Sequence, residues 1–147
     1  MDDYGRRITL DIPFDRAVKE ALKAFQAEGF DFVSTLDVRG YLARNAHQEC
    51  RRYVLFEALL PQFTLEALQH DPGIGPILPT TIAIYELADG ESAVSASPAL
   101  APVAFDFGWR ASSPVIRALA DRASERVARA FERLDQFGPA VGVRVPA

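Results

Sequence analysis

Cysteine is almost missing from this 147-residue chain, where Cys50 stands alone. An intrachain disulfide is therefore excluded, as is any CxxC redox or zinc arrangement. Lysine is nearly absent too: Lys19 and Lys23 are the only two among 16 basic residues. With a net charge of −4 the composition offers nucleic acid no electrostatic invitation. No apolar run approaches the ~20 residues of a membrane helix. The opening "MDDYGRRITL" lacks the basic and apolar regions of a signal peptide. The expectation is one soluble, cytoplasmic domain over residues 1–147, with no nucleic-acid and no membrane partner.

Enzyme signatures are missing as well. "DPGIGPILP", residues 71–79, has Gly73 and Gly75 but neither the third glycine nor the strand–helix setting of a dinucleotide fingerprint. No Walker-type lysine follows it, and the chain contains neither HExxH nor GxSxG.

What is present is a readable order of elements. Ile8, Leu10 and Ile12 share one face of a strand over 7–12, ended by Pro13. Asp15 is read as the N-cap of a helix whose stripe is Val18, Ala21, Leu22 and Phe25, stopped at Gly29. Phe30, Phe32, Leu36 and Val38 alternate as a half-buried strand, in which Ser34 interrupts the inward row. A short helix over 41–46 capped by Asp37 follows. Residues 51–60 form a strand whose "VLFEALL" half is apolar on both faces and so reads as central. Then come a short helix over 63–69, a strand over 81–87, and a hairpin signalled by "ADG" before "ESAVSA". Ser113-Pro114 starts the longest helix, with Leu119, Ala123, Val127, Ala130, Phe131 and Leu134 inward. Its Arg122, Glu125, Arg129, Glu132 and Arg133 read as a solvated face. "AVGVRVPA" is a tail or an added edge strand. Strands unbroken by long helices imply an α+β fold of order β-α-β-β-β-β-α, an antiparallel sheet backed by two main helices. One sheet face is then left for a second copy or a ligand to cover.

"RRYVLFEALLPQFTLEALQHDPGIGPILPTTIAIYE", residues 51–86, resembles the central signature of the DUF302 family of small bacterial and archaeal proteins. Pro61, Ala67-Leu68, Asp71-Pro72, Gly75 and Leu78-Pro79 before an apolar strand carry the likeness. "ALKAFQAEGFDFVSTLDV" upstream is similar to that family's amphipathic helix, glycine and strand. The resemblance covers residues 8 to 137. It implies a TATA-binding-protein-like α+β fold and homodimers, and puts haem b forward as a cofactor. Many members have Cys-Asn before the proline matching Pro61 and a cysteine after the Leu-Pro pair. Here those positions are Leu59, Leu60 and Thr80, so a thiol function would not carry over.

Haem needs an axial ligand, an apolar pocket and partners for its propionates. His70 and His47 are the candidate metal ligands, with Tyr53 and the Cys50 thiolate as others; one histidine per subunit would serve both axial positions in a dimer. Arg51 and Arg52 suit the propionates, since guanidinium matches carboxylate geometry. Phe105, Phe107 and Trp109 in "AFDFGWR" could wall a flat apolar ligand or seal an interface. Each has a plainer reading. His70 complements a helix C-terminus, the arginines solubilise a strand edge, and the aromatics anchor a core. His47, Glu49 and Cys50 are metal-ligand types at a spacing that fits no established zinc pattern.

The resulting expectation is a noncatalytic homodimeric ligand-binding or sensory module that accommodates a small apolar ligand, haem above all. One alternative is a small acid–base enzyme using Glu57 or Glu86 with a histidine. The other is a protein-interaction module without a small ligand.

Overall fold

The structure is a computed structural model that describes residues 5–97 and 113–139. Five strands, β1 (Arg6–Leu10), β2 (Asp31–Asp37), β3 (Tyr53–Leu59), β4 (Thr80–Ala88) and β5 (Glu91–Ala96), form one antiparallel sheet in the order β1-β5-β4-β3-β2. Its helices are α1 (Phe14–Ala27), α2 (Val38–Asn45), α3 (Pro61–His70) and α4 (Pro114–Leu134). The α+β class, the antiparallel sheet and the two main helices are as the sequence implies.

Local chemistry explains most boundaries. Gly29 adopts φ +91° after α1, its N–H donates to Gln26 O, and the Phe30 N–H reaches back to Phe25 O. This is a Schellman stop, completed by the contact of the Phe25 and Phe30 rings at 5.4 Å. Asp37 caps α2, accepting from the Gly40 N–H at 3.0 Å. Gly90, at φ +76°, turns the β4–β5 hairpin. The "DPGIGP" stretch is a 3-10 turn over Pro72–Ile77, started by Asp71 accepting from the Gly73 N–H at 2.9 Å. It ends a helix and feeds a strand.

The core lies between one sheet face and two helices. Leu10, Phe56, Ala58, Ile82, Ile84, Val94 and Ala96 project from the sheet, meeting Ala17, Ala21 and Phe25 of α1 and Ala123, Val127, Ala130 and Phe131 of α4. A smaller cluster joins α3 to the start of α4 through Ala67, Ile74, Ile116, Leu119 and Ala120.

Four expectations need correction. Asp15 is not the cap of α1: Pro13 holds that position, and the Asp15 carboxylate pairs with Arg52 across the fold. The β2 strand is not half-buried; it is an edge strand, with only Phe32 packed on the core and Val33 and Leu36 exposed. An edge lacks a neighbour on one side, so alternation there need not mean burial. The β3 strand is interior but not central, a place taken by β4. Finally, the outer side of α4 is not simply solvated, because Arg126, Arg129 and Arg133 close on Glu28.

Candidate functional site

Strand alternation sends every second side chain to the face opposite the helices. That face carries Leu36 of β2, Tyr53, Leu55, Glu57 and Leu59 of β3, Thr81, Ala83 and Tyr85 of β4, Ala93 and Ser95 of β5, and Arg7 of β1. None of these belongs to the core cluster. Tyr53 and Tyr85 are register partners whose rings stack at 5.0 Å and 7°. The Arg7 guanidinium lies over the Tyr85 ring at 5.7 Å. Small residues, Ala83, Ala93 and Ser95, floor the middle of the sheet. The result is an aromatic ridge beside a shallow floor, bounded by Arg7 toward one margin and Glu57 toward the other.

The residues singled out for haem do not converge. Tyr53 stands on the open face, where burial and then the neighbouring Tyr85 push its phenol up, working against phenolate ligation. Arg52 turns to the helix side, its guanidinium 4.3 Å from the Phe14 ring and paired with Asp15. The hydrogen bond from Arg52, opposed by a smaller desolvation, holds the Asp15 carboxyl below the usual range. Arg51 is taken up by Glu86 at 3.5 Å and Asp89 at 3.9 Å. His47 is exposed at φ +54° in the α2–β3 connection, and Cys50 is a half-buried free thiol. His70, at the end of α3, is occupied by Ser113, with Nε2 and Oγ 2.7 Å apart. Phe105, Phe107 and Trp109 lie outside the described residues.

On one chain the structure leaves these candidates apart, with Arg52 paired to Asp15, Arg51 to Glu86 and Asp89, and one nitrogen of His70 bonded to Ser113. Among the described residues, clefts of about 290 and 190 Å³ open on the helix side, and neither is lined by histidine, tyrosine or cysteine. Among the described residues no three His, Cys, Asp or Glu side chains gather to hold a metal. The two carboxylates of the acid–base reading do not pair either. Glu57 shares the open face with Leu55 and accepts from Ser34 Oγ at 3.4 Å, while Glu86 follows Ile82 and Ile84 onto the helix side.

Sequence reasoning missed three features. Glu28, only 7% exposed, accepts from Arg129 at 2.6 Å and Arg133 at 3.0 Å, and Arg126 donates to its backbone carbonyl at 2.8 Å. Desolvation pushes this carboxyl up, but the two guanidinium bonds and charges outweigh it and hold it low. The spacing 126, 129, 133 marks one helix face, yet nothing local tells that Glu28, 98 residues or more away, docks there. Thr80 is fully buried, and its hydroxyl is the one buried side-chain polar atom without a partner among the described residues. Ser113 was read only as a helix start, and no short-range signal ties it to His70. Among the described residues no helix is long and apolar enough to cross a membrane.

The chain is similar to known proteins in two ways. The family model described as "Domain of unknown function DUF302" matches residues 6–134. A crystal structure of an uncharacterised conserved DUF302 protein from Bacillus stearothermophilus superposes with a TM-score of 0.69 at 17% identity, covering 92% of this chain and 99% of that one. At that identity the likeness concerns the fold. No curated protein matches the chain.

Proposed function

The chain belongs to the DUF302 family, and from that premise we propose that it works as a homodimeric ligand-binding module whose two copies pair through their open sheet faces. The observation that carries this reading is the one-sidedness of the sheet: one face supplies the core, while the other presents Leu36, Leu55, Tyr53 and Tyr85 outside it. A two-fold axis along β4 sets β1 of one copy over β2 of the other and β5 over β3, so that β4 faces β4. Stacked sheets sit ~10 Å apart, which suits the interlocking of medium-sized side chains. Between two tyrosine ridges the matching ligand is planar and apolar.

Sedimentation equilibrium tests the pairing. The wild-type chain is expected to be a dimer at micromolar concentration, and Leu55→Asp, with its fold verified by circular dichroism, a monomer. A wild-type monomer, or a dimer indifferent to Leu55→Asp, would overturn the reading. Hemin tests the ligand class: a Soret change lost in Leu55→Asp but kept in His47→Ala and His70→Gln supports a ligand held by the sheet. A band that instead follows either histidine restores axial coordination and removes the sheet-held ligand.

A further inference from the structure

One polar contact stands apart from the sheet, at the corner where α3 ends and α4 begins. His70 closes α3 and Ser113 immediately precedes α4; they are 43 residues apart in sequence, with Oγ and Nε2 2.7 Å apart. Ser113 occupies the N-cap position, where a serine hydroxyl ordinarily accepts from an N–H of the first turn. Here it makes no such bond, its hydroxyl being turned to the imidazole. A hydroxyl within hydrogen-bond reach of an imidazole nitrogen is the arrangement that general-base activation of a nucleophile requires. The first-turn N–H groups of Val115 and Ile116 have no intrahelical acceptor, and they sit at the positive end of a 21-residue helix.

We propose that Ser113 is a nucleophile with His70 as its general base, acting on small carboxylic esters. Ser113 Oγ bonds to the ester carbonyl carbon as its proton passes to His70 Nε2. The carbon–oxygen bond to the alcohol then breaks, and the alcohol leaves with the proton returned by His70. Water adds in the same way and releases the carboxylic acid, restoring the serine. Asp71, next to His70, spends its carboxylate on the Gly73 N–H, and His70 has no carboxylate partner among the described residues. The orienting third member of a triad is thus missing, which implies slow turnover and makes covalent capture the better readout.

The test is a fluorophosphonate probe, whose phosphorus bonds to the serine oxygen with loss of fluoride. It is applied to the full chain and read by intact mass and peptide mapping. One adduct on Ser113 is expected, absent in Ser113→Ala and formed at least tenfold more slowly in His70→Gln. Ser113→Thr, which keeps a hydroxyl, should retain part of the labelling, and thermal melts check that each variant is folded. No adduct, an adduct elsewhere, or a rate indifferent to His70 would overturn the proposal and leave the pair a clasp between two helices. Dimerisation is read separately, so either reading can fail without the other.

Discussion

The two faces of one sheet are built from the same five strands and yet are used differently. On the closed face the residues at every second position, Phe56, Ile82, Ile84 and Val94 among them, are buried under α1 and α4. On the open face their immediate neighbours, Leu55, Ala83 and Tyr85, are only partly shielded by one another. The closed face supplies the core of the chain, and the open face lies outside that core. Folding free energy and binding potential are thus separated by a single residue step along each strand.

The sharpest way to break that comparison is to truncate one side chain on each side. Phe25 is fully buried, with edge contacts to Phe30, Phe32 and Phe131. Phe25→Ala is expected to cost about 3–5 kcal/mol, and Leu55→Ala about 1 kcal/mol in the dissociated chain, both by urea denaturation. Equal costs would remove the distinction between the faces.

Next in size is the clamp that fastens α1 to α4. Glu28→Gln loses two charge-assisted bonds and should cost about 1.5–3 kcal/mol, toward the lower end because Arg129 and Arg133 are half-exposed and can rehydrate. Its pH dependence has a definite sign. A carboxyl held low in the folded state stabilises fully above its unfolded-state pKa, and that contribution fades as pH falls through the folded value. The stability gap between wild type and Glu28→Gln should therefore be flat near neutrality and close under acid. A gap that widens on acidification would contradict the clamp.

A smaller effect, of opposite sign, is expected at Thr80. Thr80→Val replaces an unpartnered buried hydroxyl by a methyl of similar shape and should raise stability by about 1 kcal/mol. A loss would mean that the hydroxyl has a partner.

Much of this was legible along the chain because it is locally encoded. The Gly29 stop, the Asp37 cap, the hairpin at Gly90 and the start of α4 at Pro114 each depend on a few adjacent residues. Side-chain partnerships were not legible, because they depend on how elements dock. Asp15 has the chemistry of a cap, but Arg52, 37 residues on, claims it. Arg129 and Arg133 have the pattern of a solvated face until α1 delivers Glu28 beneath them. Alternation in β2 specified which residues share a face but not that the strand would end at the sheet edge. The partners of Arg51, Arg52 and Tyr53 were likewise illegible: the two arginines pair with carboxylates of other elements, while Tyr53 stacks on Tyr85 on the open face.

The central claim, that the open face is where two copies meet, is tested most directly at Ala83, in the middle of β4. A Cys50→Ser, Ala83→Cys chain treated with a short bis-maleimide should be captured as a covalent dimer, because a two-fold axis along β4 sets the two introduced thiols across the ~10 Å gap between sheets. The same chain with the thiol moved to the exposed helix layer, Glu125→Cys in place of Ala83→Cys, should stay uncrosslinked. Capture through Glu125→Cys but not through Ala83→Cys would contradict the account, placing the contact between copies on the helices.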